Sequence, residues 1–188
     1  LSAEEIYQIY ASQSYCTIAE TPFPFRDDFG PGLSPLWRVT NPDPLFANPT
    51  ENPGHLRLYT TATDLWAGTN NLKILYTVKL PENLHSFIAT AKMSFPDQPA
   101  SNYQQAGIAL LGEAGGSPDM DNYLRAMYVI ESGRRFEVTY DINGVNNPDL
   151  PNGPLTEIPP GSPFWIRIVK TGDFYEALYS RDGMQFTS

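Results

Sequence analysis

The sequence predicts an all-β protein, an antiparallel two-sheet sandwich preceded by a short N-terminal helix, and three observations carry that expectation. From Asp27 onward, apolar or alternating runs recur between breaks rich in Gly, Pro and Asn: HLRLYT (55–60), NLKILYTVKL (71–80), SFIATAKMSF (86–95), PFWIRIVK (163–170) and FYEALYS (174–180). No helical periodicity separates these runs, so neighbouring strands pair antiparallel and the resulting sheets must cover each other's apolar faces. The chain also carries Pro 18 and Gly 14 in 188 residues, the supply of turn formers that many short strands require.

Taken in order, residues 1–15 read as the helix. Ser2 and Glu5 have capping-box spacing and Leu1 and Ile6 that of a hydrophobic staple. Ile6, Ile9 and Tyr10 continue as an apolar stripe. Residues 17–26 read as a linker, because Pro22 and Pro24 favour extended chain. Farther on, Phe136, Val138, Tyr140 and Ile142 alternate with Glu137, Thr139 and Asp141, which predicts a strand with one buried and one wet face. Asn143-Gly144 then signals a two-residue hairpin turn. Residues 112–122 are polar and glycine-rich and read as a loop between two strands, with the stretch Gly112 to Asp119 longer than a tight turn.

Composition removes several function classes. The net charge is −9 and no basic run occurs, so nucleic acid and anionic membrane surfaces are discounted as partners. No apolar run approaches the ~20 residues of a membrane-spanning helix. A single cysteine, Cys16, forms no disulfide within the chain and excludes Cys-based zinc and thioredoxin-like chemistry. His55 and His85 are the only histidines, and neither a Gly-x-Ser-x-Gly nor a P-loop motif is present.

Several segments in the right order resemble a known family. Asp27-Asp28-Phe29 with Leu33 to Trp37, Gly54 to Leu58, Tyr103-Gln104-Gln105-Ala106-Gly107, Asp121-Asn122-Tyr123, Phe164 to Ile168 and Tyr179 to Gly183 resemble the concanavalin-like domain that follows the catalytic module in β-xylosidases of glycoside hydrolase family 43. The resemblance covers residues 27–188 and implies a jelly-roll sandwich from a secreted, extracellular multidomain protein. Relatives continue past the Tyr-Ser-x-Asp-Gly hairpin through at least one further strand, so open sheet edges and self-association through them are expected. Residues 1–16 resemble the closing segment of a laminin-G-like domain, Leu-Ser-x-x-Glu-Ile-x-x-x-Tyr; a local helix packed on its own domain fits them equally.

Sugar recognition needs a flat apolar platform and a few fixed polar groups. Trp66, in a loop rich in Asn and Gly, and Trp165, alternating with Arg167 on a strand, are the candidate platforms, whereas Trp37 reads as core. Tyr103, Gln104, Asn122, Tyr123 and Arg125 are the candidate polar set, brought together by pairing of their two strands. Asp28, Asp119 and Asp121 are candidates for a structural calcium, an ion that takes six to eight oxygens, though neither stretch has the spacing of a calcium loop. No catalytic residue is assigned, because the carboxylates lack the Glu-x-Asp-x-x-Glu strand spacing of concanavalin-fold glucanases. The expected role is a non-catalytic carbohydrate-binding or accessory module, contacting a polysaccharide and neighbouring domains of the same polypeptide. The alternatives are a structural or adhesive module of a surface fibre and, last, a glycan-cleaving enzyme.

Overall fold

The computed structural model describes residues 7–8, 24–30, 32–72, 74–82, 84–95, 102–147, 153–154, 158–159 and 161–188. Fifteen strands are formed among them. The first half of the chain gives β1 (Tyr7–Gln8), β2 (Trp37–Thr40), β3 (Ala47–Asn48), β4 (Arg57–Leu58), β5 (Leu65–Trp66), β6 (Thr69–Asn70), β7 (Leu75–Lys79) and β8 (Ser86–Met93). The longer strands follow: β9 (Gln105–Ala114), β10 (Ser117–Ile130), β11 (Arg134–Ile142), β12 (Val145–Asn147), β13 (Gly153–Pro154), β14 (Phe164–Thr171) and β15 (Phe174–Ser180).

Eleven of them assemble into two unequal layers, and β3–β4 and β5–β6 are separate two-stranded hairpins. A large sheet runs β12-β11-β10-β9-β1-β7-β2, with β13 on β11, and a small one runs β15-β14-β8. All pairings within them are antiparallel. Period-2 alternation decides which side chains meet between the layers. Ile108 and Leu110 of β9, Leu124, Ala126 and Tyr128 of β10, and Phe136 and Val138 of β11 face Ala91 of β8 and Phe164, Ile166 and Ile168 of β14. Tyr128 and Phe164 stack with ring centroids 4.8 Å apart. The sandwich and its antiparallel sheets are therefore those the alternation predicts.

Trp37 is core, as expected, and a buried carboxylate fixes it. Asp27 accepts hydrogen bonds from the Trp37 indole at 2.7 Å, Ser34 N at 2.9 Å and Phe29 N at 2.7 Å. This one side chain staples the opening segment to β2, which accounts for Asp27 in the Asp27-Asp28-Phe29 motif.

Three expectations need correction. The N-terminal helix is not supported: Tyr7 and Gln8, in its middle, form a strand between β7 and β9. Lateral pairing there satisfies two strand edges at once, a tertiary gain that outweighs local capping signals. The remainder of residues 1–16, including Cys16, and most of the expected linker lie outside the described residues. The supposed loop from 112 to 122 is a hairpin. β9 and β10 continue to a two-residue turn at Gly115 and Gly116, whose φ values of 60° and 81° are those a right-twisted hairpin turn requires. The register then slips, because Asp119 pairs with Gly112 while Tyr123 pairs with Leu111, and residues 120–122 bulge out. Third, the expected wet face of β11 is buried: Thr139 and Asp141 lie beneath a covering hairpin.

Candidate functional site

The covering hairpin is β5–β6, and it lies on the face of the large sheet turned away from the small one. Ala67 and Gly68 close it with φ of 47° and 77°. Its inward residue, Leu65, packs with Leu75, Ala109, Leu111 and Tyr123 in an apolar cluster. Beneath the hairpin the backbone carbonyl of Leu65 accepts two hydrogen bonds, from the Tyr123 hydroxyl at 3.0 Å and from Arg125 Nη1 at 2.9 Å.

Arg125 is the hub of this arrangement. It is only 3% exposed, and its remaining donors reach Thr139 Oγ1 at 2.8 Å and Glu137 Oε1 at 3.2 Å. A buried guanidinium needs its charge and its donors matched, and β11 supplies both from alternate residues of one face. Its Cζ stands 5.0 Å from the Trp66 ring centroid and 5.9 Å from that of Tyr123. Trp66 therefore rests on a cation while remaining 36% exposed.

Polar groups surround this pedestal. Asp141 is fully buried; its Oδ1 accepts from Asn146 Nδ2 at 2.9 Å. Its Oδ2 has no hydrogen-bond donor among the described residues. Burial, first of all, drives the Tyr123 hydroxyl well above the ordinary tyrosine range; Arg125 opposes that shift, and Asp141 and Asp64 add to it. Tyr123 is thus a neutral donor.

At the base of the same hairpin, Asp64 N donates to Asn71 Oδ1 at 2.7 Å and Asn71 N to Asp64 O at 3.2 Å. Asn71 also lines an open cleft of about 560 Å³ with Asn41, Pro42, Asp43, Thr63 and Leu72. Of these cleft residues only Asn71, in the Asn-rich run beside Trp66, is evident from sequence reasoning; the others are mostly polar residues in irregular chain that only the tertiary fold gathers.

The sequence-predicted set is divided by the fold. Trp66, Tyr123 and Arg125 come together, but Tyr123 and Arg125 act from below, out of reach of solvent. Asn122 sits in the bulge at the same end, accepting from Asn143 N at 3.1 Å and donating to Asp119 Oδ2 at 2.8 Å. Tyr103 and Gln104 lie at the far end of the β9–β10 ladder, about six residues or roughly 20 Å away, where Gln104 reaches Thr60 at 3.3 Å. Trp165 is on the outer face of the small sheet, with Lys92 Nζ 5.2 Å from its ring and Gly183 against it. Among the calcium candidates, Asp28 pairs with Arg26 at 3.0 Å, and Asp119 is engaged by Asn122 and by Asp121 N. Among the described residues no three His, Cys, Asp or Glu side chains converge as a metal group would require.

No protein-family profile and no curated protein sequence matches this chain. Solved structures do. The GH43 protein BlXynB of Bacillus licheniformis matches at a TM-score of 0.67 and 24% identity over 86% of this chain. A mutant of the same protein matches at 0.67 and 23% over the same share. In both cases the chain spans 29% of the other protein's length. The likeness to part of a family-43 glycoside hydrolase that the motifs from Asp27 to Gly183 imply is thus present in three dimensions, and it is a likeness of fold.

Proposed function

We propose that this sandwich is a non-catalytic carbohydrate-recognition module of a secreted multidomain protein, accessory to a glycoside hydrolase. The observation that carries the reading is Trp66: a partly exposed aromatic ring, held at a hairpin tip by a buried arginine, with a polar cleft at the foot of the same hairpin. A pyranose presents an apolar C–H face and a rim of hydroxyls, so it asks for a rigid platform plus amide and carboxylate partners. Asn41, Asp43, Thr63 and Asn71 provide that second element. Backing the ring with Arg125 removes the cost of ordering it on binding.

The test is binding to a panel of plant, algal and bacterial polysaccharides, with calcium and with chelator, accompanied by an assay for released sugar. Saturable binding to one glycan class without turnover is expected, weakened at least about tenfold by Trp66→Ala, close to the 1.4 kcal/mol that a tenfold change represents. Trp165→Ala leaves it unchanged. Wild-type protein that binds no member of the panel under either condition sinks the reading, and sugar release abolished by Glu137→Gln replaces it with an enzymatic one.

A further inference from the structure

The turn between β11 and β12 carries a chemically reactive pair. In an Asn-Gly sequence the amide nitrogen after the asparagine is unhindered, because glycine has no side chain, and it can attack the asparagine side-chain carbonyl carbon. Asn143 is exposed and Gly144 follows it, so access to solvent and an unhindered amide are both provided. The pair sits in a two-residue hairpin turn with φ of 53° at Asn143 and 73° at Gly144.

Its surroundings restrain it from two sides. Gly144 N donates to Asp121 O at 2.8 Å and Asn143 N to Asn122 Oδ1 at 3.1 Å. The first of these bonds occupies the proton that must leave before the nitrogen can attack, and attack also requires that nitrogen to swing toward Asn143 Cγ. On the other side stands the tip of the β5–β6 hairpin. A Cβ at Gly144 would lie 3.3 Å from Gly68 Cα and 3.6 Å from Gly68 N, so the turn has no room to rearrange while the hairpin is seated.

We infer that Asn143-Gly144 is a self-modification site that the seated Trp66 hairpin keeps closed. When the hairpin lifts, Gly144 N loses its proton to solvent base and bonds to Asn143 Cγ, and the Cγ–Nδ2 bond breaks to release ammonia. Water then opens the five-membered imide at either carbonyl, giving aspartate or isoaspartate at position 143. Isoaspartate routes the main chain through the former side-chain carbon, adding one atom to a turn packed backbone to backbone against Gly68. It also leaves a carboxylate beside Asp121, whose Oδ1 lies 3.6 Å from the same Gly144 Cβ position. The hairpin then does not reseat, and a transient opening becomes a permanent displacement of Trp66.

The test follows conversion at position 143 and needs no sugar. Wild-type protein, the Leu65→Ala variant and wild-type protein unfolded in urea are aged in parallel at mildly alkaline pH. Leu65→Ala removes the hairpin's inward anchor among Leu75, Ala109, Leu111 and Tyr123 without touching the turn. Peptide mapping reads the loss of ammonia, and fragment spectra separate Asn143 from Asn152 of the other Asn-Gly pair. Conversion in the folded wild type is expected to be at least about tenfold slower than in the unfolded chain, since only the locally opened fraction reacts. Leu65→Ala enlarges that fraction and is expected to speed conversion in the folded state at least about threefold. Isoaspartate-containing protein, separated by its added charge and identified by isoaspartyl methyltransferase labelling, is expected to show the Trp66 indole resonance displaced. Equal rates in folded and unfolded wild type, or in wild type and Leu65→Ala, overturn the proposal, as does an unmoved Trp66 resonance in the isoaspartate form. If Leu65→Ala does not fold, Gly68→Ala, which brings a methyl group to 3.5 Å from Gly144 O, takes its place with the same expected direction and the same overturning result.

Discussion

Two tryptophans look outward from opposite layers, each beside a cation, and they do different things. Trp66 stands at the tip of a two-residue strand with Arg125 behind it, and that arginine is tied to Leu65 O, Thr139 and Glu137. Trp165 sits near the start of β14, flanked by Lys92, and the returning segment after β15 lies on it: a Cβ at Gly183 would fall 2.9 Å from Trp165 Cε2. Nearby, Phe186 covers Arg167 at 3.6 Å. In the first case the cation is a pedestal beneath a partly exposed ring; in the second Gly183 lies against the ring and Phe186 against Arg167, while Lys92 stays exposed. An exposed aromatic therefore says little about binding until the side that is backed has been identified.

That contrast is most directly broken by the two arginines. Arg125→Ala strips partners from a nearly buried carboxylate, Glu137, and from a buried carbonyl, so a loss of about 3–5 kcal/mol is expected in urea unfolding. Arg167→Ala forfeits a hydrogen bond to Thr90 and a ring contact, together roughly 1–2 kcal/mol. Equal losses would mean that the pedestal is no more integral than the roof. Next comes Gly183→Ala, which crowds the Trp165 ring and holds alanine at a φ of 75°; about 1–3 kcal/mol is expected. Gly68→Ala, also at positive φ but with 3.5 Å to its nearest atom, should cost only about 1 kcal/mol.

Alkaline pH sharpens the comparison by a smaller amount. Burial raises the hydroxyls of Tyr123, Tyr76, Tyr128 and Tyr175 above the ordinary tyrosine value. Stability is then fully present below the unfolded-state tyrosine range, near pH 10, and falls as the pH rises through it, since only the unfolded chain ionises freely. Guanidinium midpoints measured from about pH 8 to pH 11.5, a span that brackets that range, should be flat and then decline, and Tyr123→Phe should lessen the decline. The smallest effect belongs to Asp182. Its carboxylate is held below the ordinary range by the amides of Gln185 and Met184 and by Ser180, so the help it gives the turn is present above that range and lost as pH falls through its lowered pKa. Asp182→Asn should speed hydrogen exchange at Met184 and Gln185 while leaving the Trp66 indole resonance in place.

Strand content and the sandwich were legible because alternation is a local signal: β14 follows its polar–apolar period, the apolar residues Phe136 and Val138 of β11 face the core, and Asn143-Gly144 makes the turn it announces. What failed did so where a distant segment decides. Thr139 and Asp141 look like a wet face until Leu65, 60 residues from Arg125 in the chain, lays its hairpin across them. Ser2 and Glu5 are a sound cap signal, yet the facing edges of β7 and β9 claim Tyr7 and Gln8. Trp66 and Arg125 stand out as candidates by type, but the sequence does not show that one lies under the other. Of the cleft amides, Asn71 had a signal in the Asn-rich run beside Trp66, whereas Asn41 had none, since nothing local distinguishes a lining amide from any other turn residue.

The seating of the Trp66 hairpin has one more consequence. Its turn touches the turn between β11 and β12 with no side chain interposed: a Cβ at Gly144 would lie 3.3 Å from Gly68 Cα, and Gly144 N is bound to Asp121 O at 2.8 Å. The two turns, far apart in the chain, are therefore epistatic. A residue inserted in either one displaces the Trp66 ring unless the other changes with it, so grafting a different loop onto this scaffold has to exchange both turns as a matched pair.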